Sequence, residues 1–168
     1  MLNLSLIRHA DSDLMNFNGN DMSRPISSKG VEKTEKILCF LKRKKISFEE
    51  IFCSPSRRTI ETLQLLGKIS HNPKIQYLDD LYHSSGVDIF DTVMLNAKKQ
   101  KVLIVSHEPL LSCSIDNFFN GSANKHFFNA VEEYTTSAFF NVSFKCKEWN
   151  EIERSKAIIN FYVKPKDL

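Results

Sequence analysis

No CxxC pair occurs among the four cysteines, Cys39, Cys53, Cys113 and Cys146, and three of them sit inside apolar runs. That spacing argues against both a disulfide framework and structural zinc. No run approaches the roughly 20 apolar residues that a membrane helix needs. The first residues, Met1 to Arg8, have no cationic start, no long apolar stretch and no small-residue cleavage site, so they do not read as a signal peptide. A cytoplasmic protein that does not engage membranes is the expectation. Charge of one sign is also scarce: a formal net charge of +3 is too small to argue for nucleic acid. The one dense basic run, Lys42-Arg43-Lys44-Lys45, closes a predicted helix, where cations complement the helix dipole. No internal repeat or low-complexity linker divides the chain. Its 168 residues, 42% hydrophobic, suffice for one domain over 1–168 with its own core.

What is present is an alternation of strands and helices. Residues 2–7 read as a strand, and 28–44 as a helix capped by Ser27 or Ser28 with Val31, Ile37, Leu38 and Leu41 on one face. A short strand at 51–53 precedes Ser54-Pro55, an order that predicts a helix over 55–68. A strand near 75–78 and a helix over 87–99, with Val87, Phe90, Val93 and Met94 inward, come next. The run 101–106 is the clearest buried strand, leading through His107-Glu108-Pro109 into a helix that ends near Gly121. The stretches 138–144 and 157–163, rich in β-branched and aromatic residues, predict an antiparallel pair at the sheet edge. The expected fold is therefore α/β, a three-layer α/β/α sandwich around a mainly parallel sheet.

Ligands of open α/β sheets bind at the carboxyl ends of the strands, near the point where strand order reverses. Arg8 and His9 follow the first strand, Arg58 falls in the first turn of the helix after the second, and His107 follows the strand at 101–106. Together with the helix N-terminus at Ser54-Pro55, these groups compose an anion pocket. Taken singly, an Arg-His pair at a strand end is more often an ordinary surface feature, and Arg58 has Glu61 in reach for a surface ion pair. Their joint placement favours a site. His71, His83 and His126 sit in polar or mixed stretches and read as solvated or core-edge residues.

At these residues the chain resembles the histidine phosphatase superfamily, and within it the short SixA-like phosphohistidine phosphatases. The likeness is carried by LIRHADS at 6–12, SRPISSKG at 23–30, CSPSRRTIETL at 53–63 and VSHEPLL at 105–111, with a weaker echo in TTSAFF at 135–140. The resemblance implies a phosphoglycerate mutase-like fold, with His9 as the transiently phosphorylated nucleophile and Arg8 and Arg58 as phosphate-holding arginines. His107 matches the second active-site histidine, and Arg24 corresponds to a loop arginine at the pocket mouth; Arg57 falls one place early. Ala10 departs from the pattern, which more often has glycine there. Chemically, a neutral imidazole is a usable nucleophile if one ring nitrogen faces phosphorus and the other donates to a backbone carbonyl. Arginine forks and a protonated His107 would stabilise the transferring group, with no cofactor or metal required.

A general acid is harder to find. Asp80 is the best match, with Asp79, Glu108 and Asp11 as rivals. A phosphomonoester expels an alkoxide, which needs a proton donor, whereas phosphohistidine expels the far weaker base imidazole. The expectation is a metal-independent phosphatase acting on a phosphohistidine-bearing protein of phosphotransfer or phosphocarrier type. The alternatives are a small-molecule phosphomonoesterase of the same superfamily and a non-catalytic phosphate- or phosphoprotein-binding module.

Overall fold

The computed structural model describes residues 1–15, 19–67, 69–82 and 87–168. Six strands form one sheet: β1 (Leu2–Arg8), β2 (Glu50–Cys53), β3 (Lys74–Tyr77), β4 (Lys101–Ser106), β5 (Phe139–Phe144) and β6 (Ala157–Val163), in the order β3-β2-β4-β1-β5-β6. The first four run parallel, while β5 pairs antiparallel with β1 and with β6. The α/β class, the mainly parallel sheet and the antiparallel C-terminal pair all follow the reading from sequence.

Among the described residues five α-helices cover the sheet: α1 (Ser28–Arg43), α2 (Arg57–Leu66), α3 (Ile89–Asn96), α4 (Leu110–Phe119) and α5 (Lys125–Glu132). Successive side chains of a strand face opposite sides, so the buried central strands feed two cores. Leu2, Leu4, Leu6, Val102 and Ile104 join Phe90, Leu111, Ile115 and Phe127 on the α3–α5 side. Ile7, Leu103 and Val105 join Ile37, Leu41, Leu63 and Leu66 on the α1–α2 side. Where that second face extends over β5 it turns polar, and the buried groups satisfy one another. Asn141 Nδ2 donates to Asn3 Oδ1 (2.8 Å) and Ser5 Oγ (2.9 Å), and Asn160 Nδ2 donates to Asn141 Oδ1 (2.6 Å).

Several boundaries differ from expectation for local reasons. Helix α2 begins at Arg57 rather than Pro55, because the Ser54 hydroxyl turns to His107 instead of capping a helix. Helix α3 is shorter than 87–99. Asp88 caps it through Phe90 N (2.7 Å), and the Glu50 carboxylate draws the Lys98 and Lys99 amides (2.7 and 3.1 Å) out of helical register. The sequence reading omitted α5, whose eight residues bury only Phe127 and Ala130, too short an apolar stripe to register as periodic. Among the described residues no helix is long and apolar enough to cross a membrane.

One close approach fixes how α1 meets the sheet. A Cβ at Gly30 would lie 2.3 Å from Asp11 O and 3.2 Å from Ala10 Cβ, so the first turn of α1 rests directly on the segment after β1. Ala10 is itself fully buried there. Gly30→Ala is expected to lower stability by about 2 kcal/mol, the scale of an overpacked core site, as measured by urea denaturation. A gain, which helix propensity alone would favour by about 1 kcal/mol, would show that the contact is not a constraint.

Candidate active site

Register builds the centre of the site. β1 and β4 are adjacent and parallel, with Ile7 opposite Val105 and Arg8 opposite Ser106. His9 and His107 therefore leave neighbouring strands at the same level; His9 N donates to Ser106 O (3.0 Å), and the ring centroids lie 4.9 Å apart. Both histidines are buried, as is Arg58 in the first turn of α2. The segment after β1 is held from three sides. Ala10 N donates to Thr62 Oγ1 (2.9 Å), which itself donates to Arg58 O (2.6 Å). Ser137 N donates to the carbonyls of Arg8 and His9 (both 3.2 Å), and Asp11 binds Thr136 Oγ1 (2.6 Å) and Lys33 (2.5 Å).

Hydrogen bonds fix the tautomers. His9 Nδ1 lies 2.7 Å from its neighbour's carbonyl, Ala10 O, which can only accept, so Nδ1 carries the proton and Nε2 keeps its lone pair. Arg58 Nη2 lies 3.2 Å from His107 Nδ1 and can only donate, which leaves the His107 proton on Nε2, 2.7 Å from Ser54 Oγ. Burial pushes His9 down to about 4, opposed by the hydrogen bond to the Ala10 carbonyl and reinforced by the charges of Arg58, Arg8 and Arg24. Burial again leads at His107, reinforced by His9, Arg58 and Arg8, and takes it to about 3. Both rings are thus neutral at pH 7. The protonated His107 expected from sequence to stabilise the transferring group therefore requires an anion beside it to offset the neighbouring cations.

The three arginines are incompletely used. Arg8 Nη1 donates to Tyr134 O (2.8 Å), Arg58 Nη1 to Asp21 O (2.8 Å), and Arg24 Nη2 pairs with Asp21 (3.0 Å). Yet Nε of Arg8, Arg24 and Arg58 is buried without an acceptor in each case. A buried donor left unpaired costs about 1–3 kcal/mol. Three such donors, all electrostatically coupled to His9, suit the oxygens of a phosphoryl group.

The other candidates separate clearly. Arg57 is exposed and pairs with Glu61 (2.6 Å), so the carboxylate that competed for Arg58 is engaged elsewhere. Arg24 belongs to the loop beside the pocket, where its charge reaches His9. Asp80 and Asp79 are exposed on the turn Asp79–Leu81 and do not line the cavity. Asp11 is held by Lys33 and Thr136, away from any proton-donating role; those bonds and charges keep its carboxyl low against the opposing effect of burial. Glu108 does line the cavity, and burial raises its pKa, yet both of its oxygens accept from Ser112, through the backbone N (3.0 Å) and Oγ (2.5 Å). His71 is exposed and His126 half-buried, away from these contacts, and His83 lies outside the described residues. Sequence reasoning missed Ser54, Asp21 and Tyr82. Only Asp21 left a trace, three residues before Arg24 on a shared turn.

With this geometry in hand, comparison with known proteins gives a consistent answer. Residues 4–85 match the histidine phosphatase superfamily (branch 1). The chain is 25% identical over 142 residues to the phosphohistidine phosphatase SixA of Escherichia coli (strain K12), covering 82% of this chain and 83% of that protein. Among solved structures, a SixA protein of Nakamurella multipartitia superposes with a TM-score of 0.81 at 21% identity, over 98% of this chain and 96% of that one. The protein histidine phosphatase SixA complexed with tungstate gives 0.77 at 22% identity, over 99% of each chain. Over residues 4–85 the chain is similar to the histidine phosphatase superfamily. Within it, the chain is similar to the SixA-like branch.

The two depressed imidazoles set a pH dependence of stability. Above pH 6.5 they are neutral in both folded and unfolded chains and contribute nothing; as pH falls below 6.5 only the unfolded chain binds their protons, down to about 4 for His9 and about 3 for His107. Each therefore removes up to about 1.4 kcal/mol of stability per pH unit in that window. Urea denaturation between pH 6.5 and 4.5 is expected to show this slope, reduced in His107→Asn. An unchanged slope in the variant would mean that His107 titrates normally in the folded state.

Proposed function

We propose that this protein is a phosphatase that hydrolyses phosphohistidine on a partner protein through a phosphorylated His9. The observation that carries the reading is the state of His9: neutral, buried, its Nδ1 proton committed to Ala10 O, its Nε2 lone pair left available, and its charge coupled to three arginines whose Nε donors are buried and unpaired. In the first step Nε2 attacks phosphorus, the substrate's P–N bond breaks, and the electron pair leaves on the substrate imidazole. In the second, water attacks the phosphorus of phospho-His9 and restores the ring. Covalent catalysis divides one difficult displacement into two, with positioned cations meeting the charge on the equatorial oxygens. The phosphoryl dianion offsets the arginine charges at His107 and lets that ring take up a proton as it binds.

The exposure of Asp80 on the turn Asp79–Leu81 supports phosphohistidine over phosphomonoesters, because imidazole leaves without an acid placed at the breaking bond. A partner of phosphotransfer or phosphocarrier type would present such a group. The scheme asks nothing of a metal.

Incubation with radiolabelled phosphohistidine protein is expected to label the wild-type chain covalently and transiently, and to leave His9→Ala unlabelled. Arg58→Ala should lower kcat/KM about 100-fold or more, the usual loss for a transition-state donor, whereas exposed Arg57→Ala should stay within about twofold of wild type. Equal phosphate release by His9→Ala and wild type would refute the mechanism. Faster turnover of phosphomonoesters than of a phosphohistidine phosphocarrier would move the substrate class.

A further inference from the structure

The mouth of the phosphate pocket carries an anion that phosphate binding does not call for. Asp21 Oδ2 receives Arg58 Nη1 (2.9 Å) and the Tyr82 hydroxyl (2.8 Å), while Oδ1 pairs with Arg24 Nη2 (3.0 Å). Asp21 and Tyr82 line a cavity of about 230 Å³ together with Arg58, His107, Glu108, Pro109 and Leu110. That volume is below the roughly 300–1,000 Å³ of drug-sized sites and suits a phosphoryl group plus one small ring. A carboxylate here repels an incoming phosphate dianion, so its position asks for a compensating gain. In-line displacement puts the leaving group on the face of phosphorus opposite His9. His9 is buried and attacks from the inside, which leaves the outer side, where Asp21 is exposed, to the leaving group.

We propose that Asp21, with the Tyr82 ring beside it, forms a subsite for the imidazolium ring of phosphohistidine, a proposal that rests on the phosphohistidine reading above. A phosphorylated imidazole protonated on its distal nitrogen is a cation. When the P–N bond breaks, the electron pair returns to the ring, the positive charge disappears, and neutral imidazole departs with the distal proton still in place. The leaving ring thus needs a proton at its far nitrogen and none delivered to the breaking bond. A carboxylate accepting from the distal N–H favours that protonated form, and an aromatic face attracts a cation. The Tyr82 ring already stands edge-on to His107, centroids 5.4 Å apart, and 5.9 Å from the Arg58 guanidinium carbon. A carboxylate has about four lone-pair positions, and the three side-chain donors at Asp21 leave one on Oδ1. An ester expelling an alkoxide brings neither charge nor distal proton, and meets only repulsion.

The alternative carboxylate, Glu108, is committed to Ser112 at the start of α4. The groups that face the Asp21 carboxylate are Arg24 on its own loop, Arg58 on α2, Tyr82 after β3 and His107 after β4, with Glu108 across the cavity. Arg24, Arg58 and the Tyr82 hydrogen bond keep the carboxyl low against the opposing effect of desolvation, so it is ionised wherever phosphohistidine is protonated.

The test compares kcat/KM for N-phosphoimidazole and p-nitrophenyl phosphate, neither of which needs an acid at the leaving atom. Asp21→Asn is expected to lower the ratio of the two about tenfold and to move the basic limb of the kcat profile for N-phosphoimidazole, which reports the bound substrate, to lower pH, with Asp21→Glu restoring most of both. Tyr82→Ala should lower the same ratio by about threefold, an independent arm should Asp21→Asn fail to fold. Parallel losses on both substrates with an unmoved pH limb would reduce Asp21 to a support for Arg58 and overturn the proposal, leaving the phosphohistidine reading intact. A wild-type enzyme that turns over p-nitrophenyl phosphate but not N-phosphoimidazole overturns both.

Discussion

The pairing of Arg8 with Ser106 across β1 and β4 brings two imidazoles into ring contact beside a buried guanidinium, and much of the surrounding structure serves to sustain that arrangement. Left protonated, the two rings and three arginines would concentrate too much like charge in a desolvated space. The structure resolves the conflict by keeping both imidazoles neutral and by giving each a fixed partner: Ala10 O for His9, and Arg58 with Ser54 for His107. Arg58 is held at its Nη1 end by the Asp21 carbonyl and carboxylate. What is left unsatisfied is the set of buried Nε donors, so the electrostatic deficit points at an oxyanion.

The parts of this site carried by adjacent residues were legible in the sequence. Apolar runs ending in Arg8-His9 and in Ser106-His107 announce strands that deliver side chains to one sheet edge, and the parallel register does the rest. Arg58 could be told from Arg57 by its place in SPxxR, and the structure separates them by burial and partner in the same sense. Residues whose role depends on loop closure could not be read. Asp21 and Tyr82 lie 61 positions apart and meet only through the folding of two loops; neither interrupts a periodic pattern. Ser-Pro usually marks a helix start and so suggests Ser54 as a cap, yet its hydroxyl accepts from His107 Nε2 instead. The tautomers and the loss of the His107 proton depend on burial, which no local pattern reports.

Ala10, the departure from the family's glycine, is explained by packing on its far side. Its methyl group is fully buried and lies against Gly30, where no Cβ is present to meet it. The volume gained at position 10 is accommodated by its absence at position 30. The side chain is thereby directed into the α1 contact and kept out of the solvent-lined cavity, whose lining does not include it. The backbone N–H of Ala10 is likewise committed to Thr62, so this residue anchors the nucleophile's loop to α2.

The question of substrate then turns on protons. Each carboxylate weighed as a general acid has a structural account: Asp11 bridges Lys33 and Thr136, Glu108 caps α4 through Ser112, and Asp80 is exposed on a turn outside the cavity lining. Asp21 stands at the right place but in the wrong state, since the two arginines and the Tyr82 hydroxyl hold it ionised. Among the described residues no carboxyl stands uncommitted beside the phosphate donors, and this supports the proposed substrate class, since an alkoxide's departure needs protonation in the transition state. The pocket is well suited to a leaving group that arrives already protonated, and an imidazole bonded to phosphorus through one nitrogen has a second nitrogen on which to bring that proton.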